Sequence, residues 1–281
     1  MIDLDRLISQ ASELAPLPNS TVRLFRLLED PLADVSDMAD IIAYDQALTL
    51  KLLRAANSAA SGSATPVTTV SEAVLRLGAA SMVTLAVACG ARPVLRPALP
   101  AYGLDEGALW RHSVAAAVAA EVLPRFCTAP APPETFTAAL LHDVGKLVMA
   151  RFLTPEVLDF LQRARASDLL IPLDAEALIL GVNHAELGGL IAQHWRLPER
   201  VVHGISYHHH PEAGEAIICD YVYTANLLAK HIEAGLDGAS CQAAPDADVA
   251  ARLGLPSPDL AGLVESAALR YREVSGRFDA V

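Results

Sequence analysis

The run Ala139-Leu140-Leu141-His142-Asp143-Val144-Gly145-Lys146 sets an imidazole, a carboxylate and an ammonium within five residues of an apolar segment. Read as one helix, neighbouring residues are rotated by about 100°, so His142 and Asp143 can approach one ion from the same side, with Lys146 one turn on. The same residues suit a structural arrangement equally: a buried histidine, with Asp143 paired to Lys146 at the i, i+3 spacing. Further imidazoles lie at His112, His184, His208, His209 and His210; with His142 these are six of the nine histidines. Imidazole and carboxylate donors without thiolate suit an open, catalytic type of zinc, iron or manganese centre better than a closed structural zinc site. The alternative is that His184 helps finish a helix N-terminus and His208 to His210 form a solvated turn, since three adjacent histidines cannot all point inward. His194, His203 and His231 lack a matching context and are expected at the surface or half-buried.

The elements that must position these groups read as helices, because cap signals recur and strand alternation is hard to find. The spacing predicts an all-α fold. Asp45 caps a helix carrying Leu48, Leu50, Leu52 and Leu53, which ends near Asn57 and Ser58. Asn57 and Ser58 could cap carbonyls or bind a partner, and the cap is the routine use. Thr69 with Glu72 forms a capping box, Gly78 stops that helix, and Ser81 starts the next. Thr154-Pro155 and Ser257-Pro258 each place an N-cap before a first-turn proline. Asn183 with Glu186 opens one helix, Pro198 another, and Glu215 to Ala234 reads as a long helix ending before Gly235. Pro93, Pro97 and Pro100 interrupt the pattern and suggest a seam, dividing the chain into 1–100, 101–235 and a C-terminal helical appendage over 236–281. Thr128 to Pro133 is a proline-rich connection within the larger part.

Composition narrows the function classes. Hydrophobic residues make up 53% of the 281 and charged ones 19%, which argues for a folded core. The most apolar stretch, Ala79 to Ala91, is interrupted by Ser81, Thr84 and Gly90, so no membrane span is expected. Asp3, Asp5 and Arg6 stand where a signal peptide would have its apolar core, and a cytoplasmic location is the expectation. The net charge of −12 disfavours duplex nucleic acid as a main ligand, although a local basic pocket is compatible with it. Cys89, Cys127, Cys219 and Cys241 form no C-x-x-C pair and read as reduced filler.

Taken in order, Leu109-Trp110-Arg111-His112-Ser113, Leu140 to Lys146, Asn183 to Gly188 and Tyr207 to Pro211 resemble the HD superfamily. Leu17-Pro18, Asp45 before Ala47-Leu48, Leu52-Leu53, Ala56-Asn57-Ser58, Ala73 and Leu77-Gly78 resemble the amino-terminal half of the HD-related output domain (HDOD) family, and the match spans about residues 15–235. That resemblance implies an N-terminal helical bundle packed on an HD-like helical core, in a module of bacterial signalling proteins, many members of which lack metal ligands. Here His112, His142 and Asp143 stand where metal-dependent HD hydrolases keep theirs, while His184 and His208 or His209 resemble the extra ligands of HD-GYP phosphodiesterases. The closing aspartate of the hydrolases aligns with Asn226, and no Gly-Tyr-Pro motif follows His210. Gln46 replaces the proline usual in the family at the first helical position, a structural departure.

Among those candidate ligands only Asp143 carries a formal charge, so two divalent ions look under-compensated unless a hydroxide bridge or bound anion adds charge, and the expectation is a single iron, manganese or zinc ion or otherwise no cofactor. The resemblance implies a regulatory output module acting through a signalling protein partner or a small nucleotide-like ligand, its signal coming from another molecule. The alternative is a metal-dependent phosphohydrolase of nucleotides or cyclic dinucleotides, with Lys146 meeting a phosphate oxygen. Gly145, costly inside a helix, suggests close approach of a neighbouring helix or a ligand. The His/Asp cluster is expected to join the helices of His112 and His142, through an ion or by direct hydrogen bonds.

Overall fold

The computed structural model describes residues 9–10, 13–14, 17–29, 34–57, 67–154, 157–158, 172–214, 216–236, 244–256 and 260–278. Among these every regular element is a helix, the one β-type pairing being an isolated bridge between Leu99 and Leu104. The all-α expectation therefore holds, and no helix among the described residues is long and apolar enough to cross a membrane.

A first group comprises α1 (Asn19–Glu29), α2 (Val35–Ala43), α3 (Gln46–Ala56), α4 (Val70–Leu77) and α5 (Ala79–Leu95). A short 3-10 turn, Pro100–Tyr102, leads to the second group: α6 (Ala108–Val122), α7 (Thr135–Leu141), α8 (Gly145–Met149), α9 (Pro172–Leu180), α10 (His184–His194), α11 (Glu199–Ser206), α12 (Ile217–Leu236), α13 (Ala247–Leu253) and α14 (Leu260–Phe278). Helix α6 is the axis of the second group: α7, α12 and α14 pack on it, and α5 of the first group touches both α6 and α7. Its residues Ser113 to Ala120 are all buried, so it is apolar all round rather than amphipathic, as a central helix must be. Along α14, Leu263, Ala267, Tyr271 and Val274 form the buried face.

Side-chain caps open α2, α3, α4 and α10. The Asp45 side chain accepts from Leu48 N at 3.0 Å, and Thr69/Glu72 and Asn183/Glu186 form reciprocal capping boxes. Three local expectations are corrected. Helix α5 begins at Ala79 rather than Ser81, because Gly78 at φ 79° ends α4 and starts α5 with no side-chain cap. Pro93 does not end α5 but sits in its last turns, which run to Leu95. Gly235 lies inside α12, which continues to Leu236. Asn57 closes α3 as its C-cap, its backbone N–H bonded to Leu53 O and Arg54 O, and its side chain adds a pair of bonds to Val67: Oδ1 accepts from Val67 N at 2.6 Å and Nδ2 donates to Val67 O at 2.8 Å. Ser58, Pro155, Glu215, Cys241, Ser257 and Pro258 lie outside the described residues.

The His142–Asp143 segment is corrected as well. It is the turn between α7 and α8, not the interior of one helix. His142 (φ −52°, ψ −35°) and Val144 (φ −58°, ψ −28°) keep right-handed helical angles, but the bonds tighten to the i+3 pattern: Val144 N to Leu141 O, 2.9 Å, and Lys146 N to Asp143 O, 3.0 Å. The cause is contact with α10. A Cβ on Gly145 would collide with the His184 carbonyl and come within 2.7 Å of Gly188 N. Gly145→Ala is therefore expected to push α8 off α10 and cost about 1–3 kcal/mol by overpacking. Denaturant unfolding reads this, and an unchanged midpoint would show that the contact yields freely.

Candidate metal centre

Two helices and two connections converge on Asp143. His112 comes from α6, His142 and Asp143 from the α7–α8 turn, His184 from the first position of α10, and His208 and His209 from the turn after α11. Asp143 Oδ2 faces His142 Nε2 at 3.4 Å and His112 Nε2 at 3.7 Å, while Oδ1 faces His184 Nε2 at 3.2 Å and His208 Nε2 at 3.7 Å. The carboxylate thus stands between two groups whose potential ligand atoms cluster closely: His112, His142 and Asp143 on one side, His184, His208 and His209 on the other. His210 turns outward to Glu212, His203 sits half-buried against Tyr207, and His194 is exposed.

The outer nitrogens explain why the inner ones point at Asp143. His142 Nδ1 donates to Ala139 O and His208 Nδ1 to Ile205 O, each at 2.7 Å. His184 Nδ1 donates to Glu176 Oε2 at 2.7 Å, and His112 Nδ1 to Glu233 Oε2 at 3.0 Å. Each ring is held by its outer N–H with its Nε2 directed inward, the arrangement by which proteins orient imidazole ligands. His142 Nε2, His208 Nε2 and Asp143 Oδ1 are buried without a hydrogen-bond partner. Leaving such buried atoms unmade is costly, and a cation among His112, His142 and Asp143 would give His142 Nε2 and the Asp143 carboxylate a partner. The donor set fits a divalent transition metal.

Asp143 is also paired with Lys146, whose Nζ lies 2.5 Å from Oδ2. The i, i+3 pairing expected of the structural reading is therefore present. Asn226, buried on α12, places Oδ1 3.2 Å from His112 Nε2. Two carboxylates at the centre escaped sequence reasoning. Glu233 lies seven residues after Asn226 on α12, a spacing that shares a face and was readable. Glu176 belongs to α9, and besides His184 its Oε1 accepts from the Tyr102 hydroxyl at 3.0 Å; no spacing announces it.

Burial dominates the titration of the inner rings. It holds His142 below the usual imidazole range against the pull of Asp143, and holds His208 well below it, reinforced by His209. Burial likewise lowers His209 to about 2. Burial and Lys146 also pull His184 down, but contacts with Asp143 and Glu176 outweigh them and raise it. For Asp143, burial pushes upward and Lys146 and His142 more than reverse it, leaving the carboxyl well below its ordinary range.

In metal-free protein the signs are opposed. His142, His208 and His209 resist protonation in the fold, so stability present above about pH 6.5 is lost as pH falls toward their lowered values, by about 1.4 kcal/mol per pH unit for each proton the unfolded chain takes up. His184 acts in reverse, contributing below about pH 6.5 and losing that contribution as pH rises through its raised value; Asp143 loses its contribution only as pH falls below about 4. Three rings against one predict a melting temperature that drops between pH 7 and pH 5 in chelator, and a flat or rising profile would contradict this.

One side of the centre is open. A cavity of 410 Å³ lined by Arg111, His112, Asp143, Lys146, Lys230 and Glu233, with Leu104, Leu109 and Tyr271 as apolar wall, reaches Asp143 from solvent. Two of the chain's three lysines line it.

Comparison with known proteins adds a frame. A family model for the HDOD domain matches residues 14–211. The chain is 29% identical over 226 residues to an uncharacterized protein of Treponema pallidum (strain Nichols), an alignment covering 79% of this chain and 43% of the relative, so the chain spans less than half of that protein's length. The structure is similar to that of a candidate phosphohydrolase from Shewanella amazonensis SB2B, with a TM-score of 0.70 and 25% identity over 98% of this chain and 97% of that one. It shares its fold with a candidate signal transduction protein from Marinobacter aquaeolei VT8, with a TM-score of 0.74 and 23% identity over 96% of this chain and 60% of that one.

Proposed function

The chain belongs to the HDOD domain family, and from that premise we propose that it is a regulatory output module that binds a signalling protein or a small nucleotide-like ligand and retains a metal centre at Asp143. The observation that carries this reading is Asn226. Its Oδ1 stands 3.2 Å from His112 Nε2, where the hydrolases keep a carboxylate, but it brings no charge. Asp143 remains the one carboxylate among the inward-facing groups, and it is already paired with Lys146. Such a set is equipped to hold an ion and to tie helices together, and is poorly equipped to compensate the two ions of a hydrolytic centre.

One divalent ion, of iron, manganese or zinc, would be held by His112, His142 and Asp143, with His184, His208 and His209 as imidazoles on the other side of the carboxylate. Bound there, it would supply positive charge to an anionic group entering the open cavity. The chain's own residues do the remainder. Glu233 and Glu176 hold His112 and His184 in their tautomers, and Lys146 shares its charge between Asp143 and the cavity.

A second reading, metal-dependent hydrolysis of a nucleotide or cyclic dinucleotide, is favoured by that cavity. Arg111, Lys146 and Lys230 line it beside the centre, where Lys146 would meet a phosphate oxygen. The similarity to a candidate phosphohydrolase supports it too. The discriminating experiment assays metal-loaded protein against nucleotides and cyclic dinucleotides, with His142→Ala and Asp143→Ala as controls, alongside pull-down from the native host. The regulatory reading expects recovered partners and no turnover above controls; turnover abolished by both substitutions would replace it with the hydrolytic one.

A further inference from the structure

A second cavity of 350 Å³ lies where α5, α6 and α14 meet, lined by Arg92 and Arg96 from the end of α5, Glu106 and Gly107 just before α6, Trp110, Arg111 and Val114 in its first two turns, and Tyr271 and Ser275 from α14. We propose that this pocket binds a small phosphate-bearing anion through Arg92, Arg96 and Arg111, distinct from the His/Asp centre.

Charge is the first support. The chain carries 33 acidic against 21 basic side chains, yet this cavity is lined by three arginines and a single acid. That acid does not lock the site. Glu106 takes Arg96 Nε at 2.8 Å, but both side chains are more than 60% exposed, and pairs of that kind exchange partners at little cost. Guanidinium groups are planar forks that suit bidentate phosphate recognition. Trp110 and Tyr271 are buried and form a rigid wall against which the arginines are displayed. The volume falls in the range of cavities that hold small organic ligands.

Position gives the pocket its meaning. Arg92 and Arg96 belong to the first helical group, while the remaining lining residues belong to the second or to the link before it, so an anion here would contact both groups. Arg111 and Tyr271 also line the 410 Å³ cavity that reaches Asp143. Arg111 is followed immediately by His112, so the residue that would grip the anion is next to a ligand of the metal centre. An anion held at Arg111 would bias the first turn of α6 and hence His112. By linkage, any effect of the anion on metal affinity is returned as an equal effect of metal on anion affinity. This would supply the small-ligand input of the regulatory reading, and only that role rests on it; the site itself does not require a metal.

The test uses the full chain, freed of metal by chelator and dialysed, and inorganic pyrophosphate as the probe in isothermal titration calorimetry. Saturable binding with a Kd of about 1 mM or tighter is expected, weakened about tenfold or more in Arg92→Gln/Arg96→Gln and weakened by added salt. Lys230→Gln, which removes a cation from the 410 Å³ cavity and leaves these arginines in place, should bind as the parent does. Thermal melting of each variant establishes that it is folded. Absence of saturable binding, binding indifferent to the arginine substitutions in a folded variant, or binding weakened about tenfold or more by Lys230→Gln would each overturn the proposal, the last by assigning the anion to the cavity beside the His/Asp centre.

Discussion

Asp143→Ala is expected to lower stability by about 3 kcal/mol, at the low end of what breaking a buried ion pair costs. The carboxylate is 2% exposed, faces four imidazole Nε2 atoms and neutralises Lys146. Its loss leaves a raised His184 without one of its partners. The cost stays at the low end because Lys146 is 20% exposed and its ammonium can turn into the open cavity. At this chain length the change corresponds to a fall of roughly 6–12 °C in melting temperature. His112→Ala should act in the same direction by about 1–3 kcal/mol, through the orphaned Glu233 and Asn226 partners, whereas the half-buried His231 should tolerate alanine within about 0.5–1 kcal/mol. Differential scanning fluorimetry with and without chelator separates the contributions. A centre joined by metal loses stability on chelation in the parent and loses none in Asp143→Ala. Unchanged melting of both variants in both conditions would remove the centre from the architecture of the core.

Asn226→Asp should act with opposite signs in the two states. In metal-free protein it places a second buried carboxylate near Asp143 and Glu233, so stability falls. With metal present, the added charge lies 3.2 Å from His112 Nε2, beside the proposed ligands, and affinity should rise by about tenfold or more, equivalent to about 1.4 kcal/mol. Competition against a chromogenic chelator measures this directly. If affinity is indifferent to the substitution, Asn226 is not what limits the centre, and the reason given for preferring a regulatory role over a hydrolytic one fails with it.

Cap residues were legible because their bonds are local. Asp45 to Leu48, Thr69 with Glu72 and Asn183 with Glu186 each act within three residues, so the side chains announce the geometry they impose. The turn at His142 was not, because its backbone angles are helical and only the hydrogen-bond register differs. What sets that register is α10, about 40 residues later in the chain, pressing on Gly145. The glycine did signal a close approach, though not which segment makes it. The same division runs through the centre. His112, His142, Asp143, His184, His208 and His209 are brought together, and their residue types proposed the chemistry. The orienting partners were harder to read: Ala139 O and Ile205 O are backbone atoms with no side-chain signature, and Glu176 reaches His184 from a separate helix. Glu233 could have been read from its two-turn spacing to Asn226 on α12. The cavity lined by Arg92, Arg96 and Arg111 joins residues from both helical groups, and their linear order carries no hint of it.

The central claim is that the inward-facing Nε2 atoms and Asp143 hold a divalent metal. Elemental analysis of protein purified without added metal or chelator tests it most directly, with His142→Ala and Asp143→Ala prepared in parallel. The account predicts about one equivalent of iron, manganese or zinc per chain in the parent and a substoichiometric trace in both variants. Parent protein free of transition metal that also takes up none from buffered iron, manganese or zinc, or variants that retain the parent's full content, would contradict it.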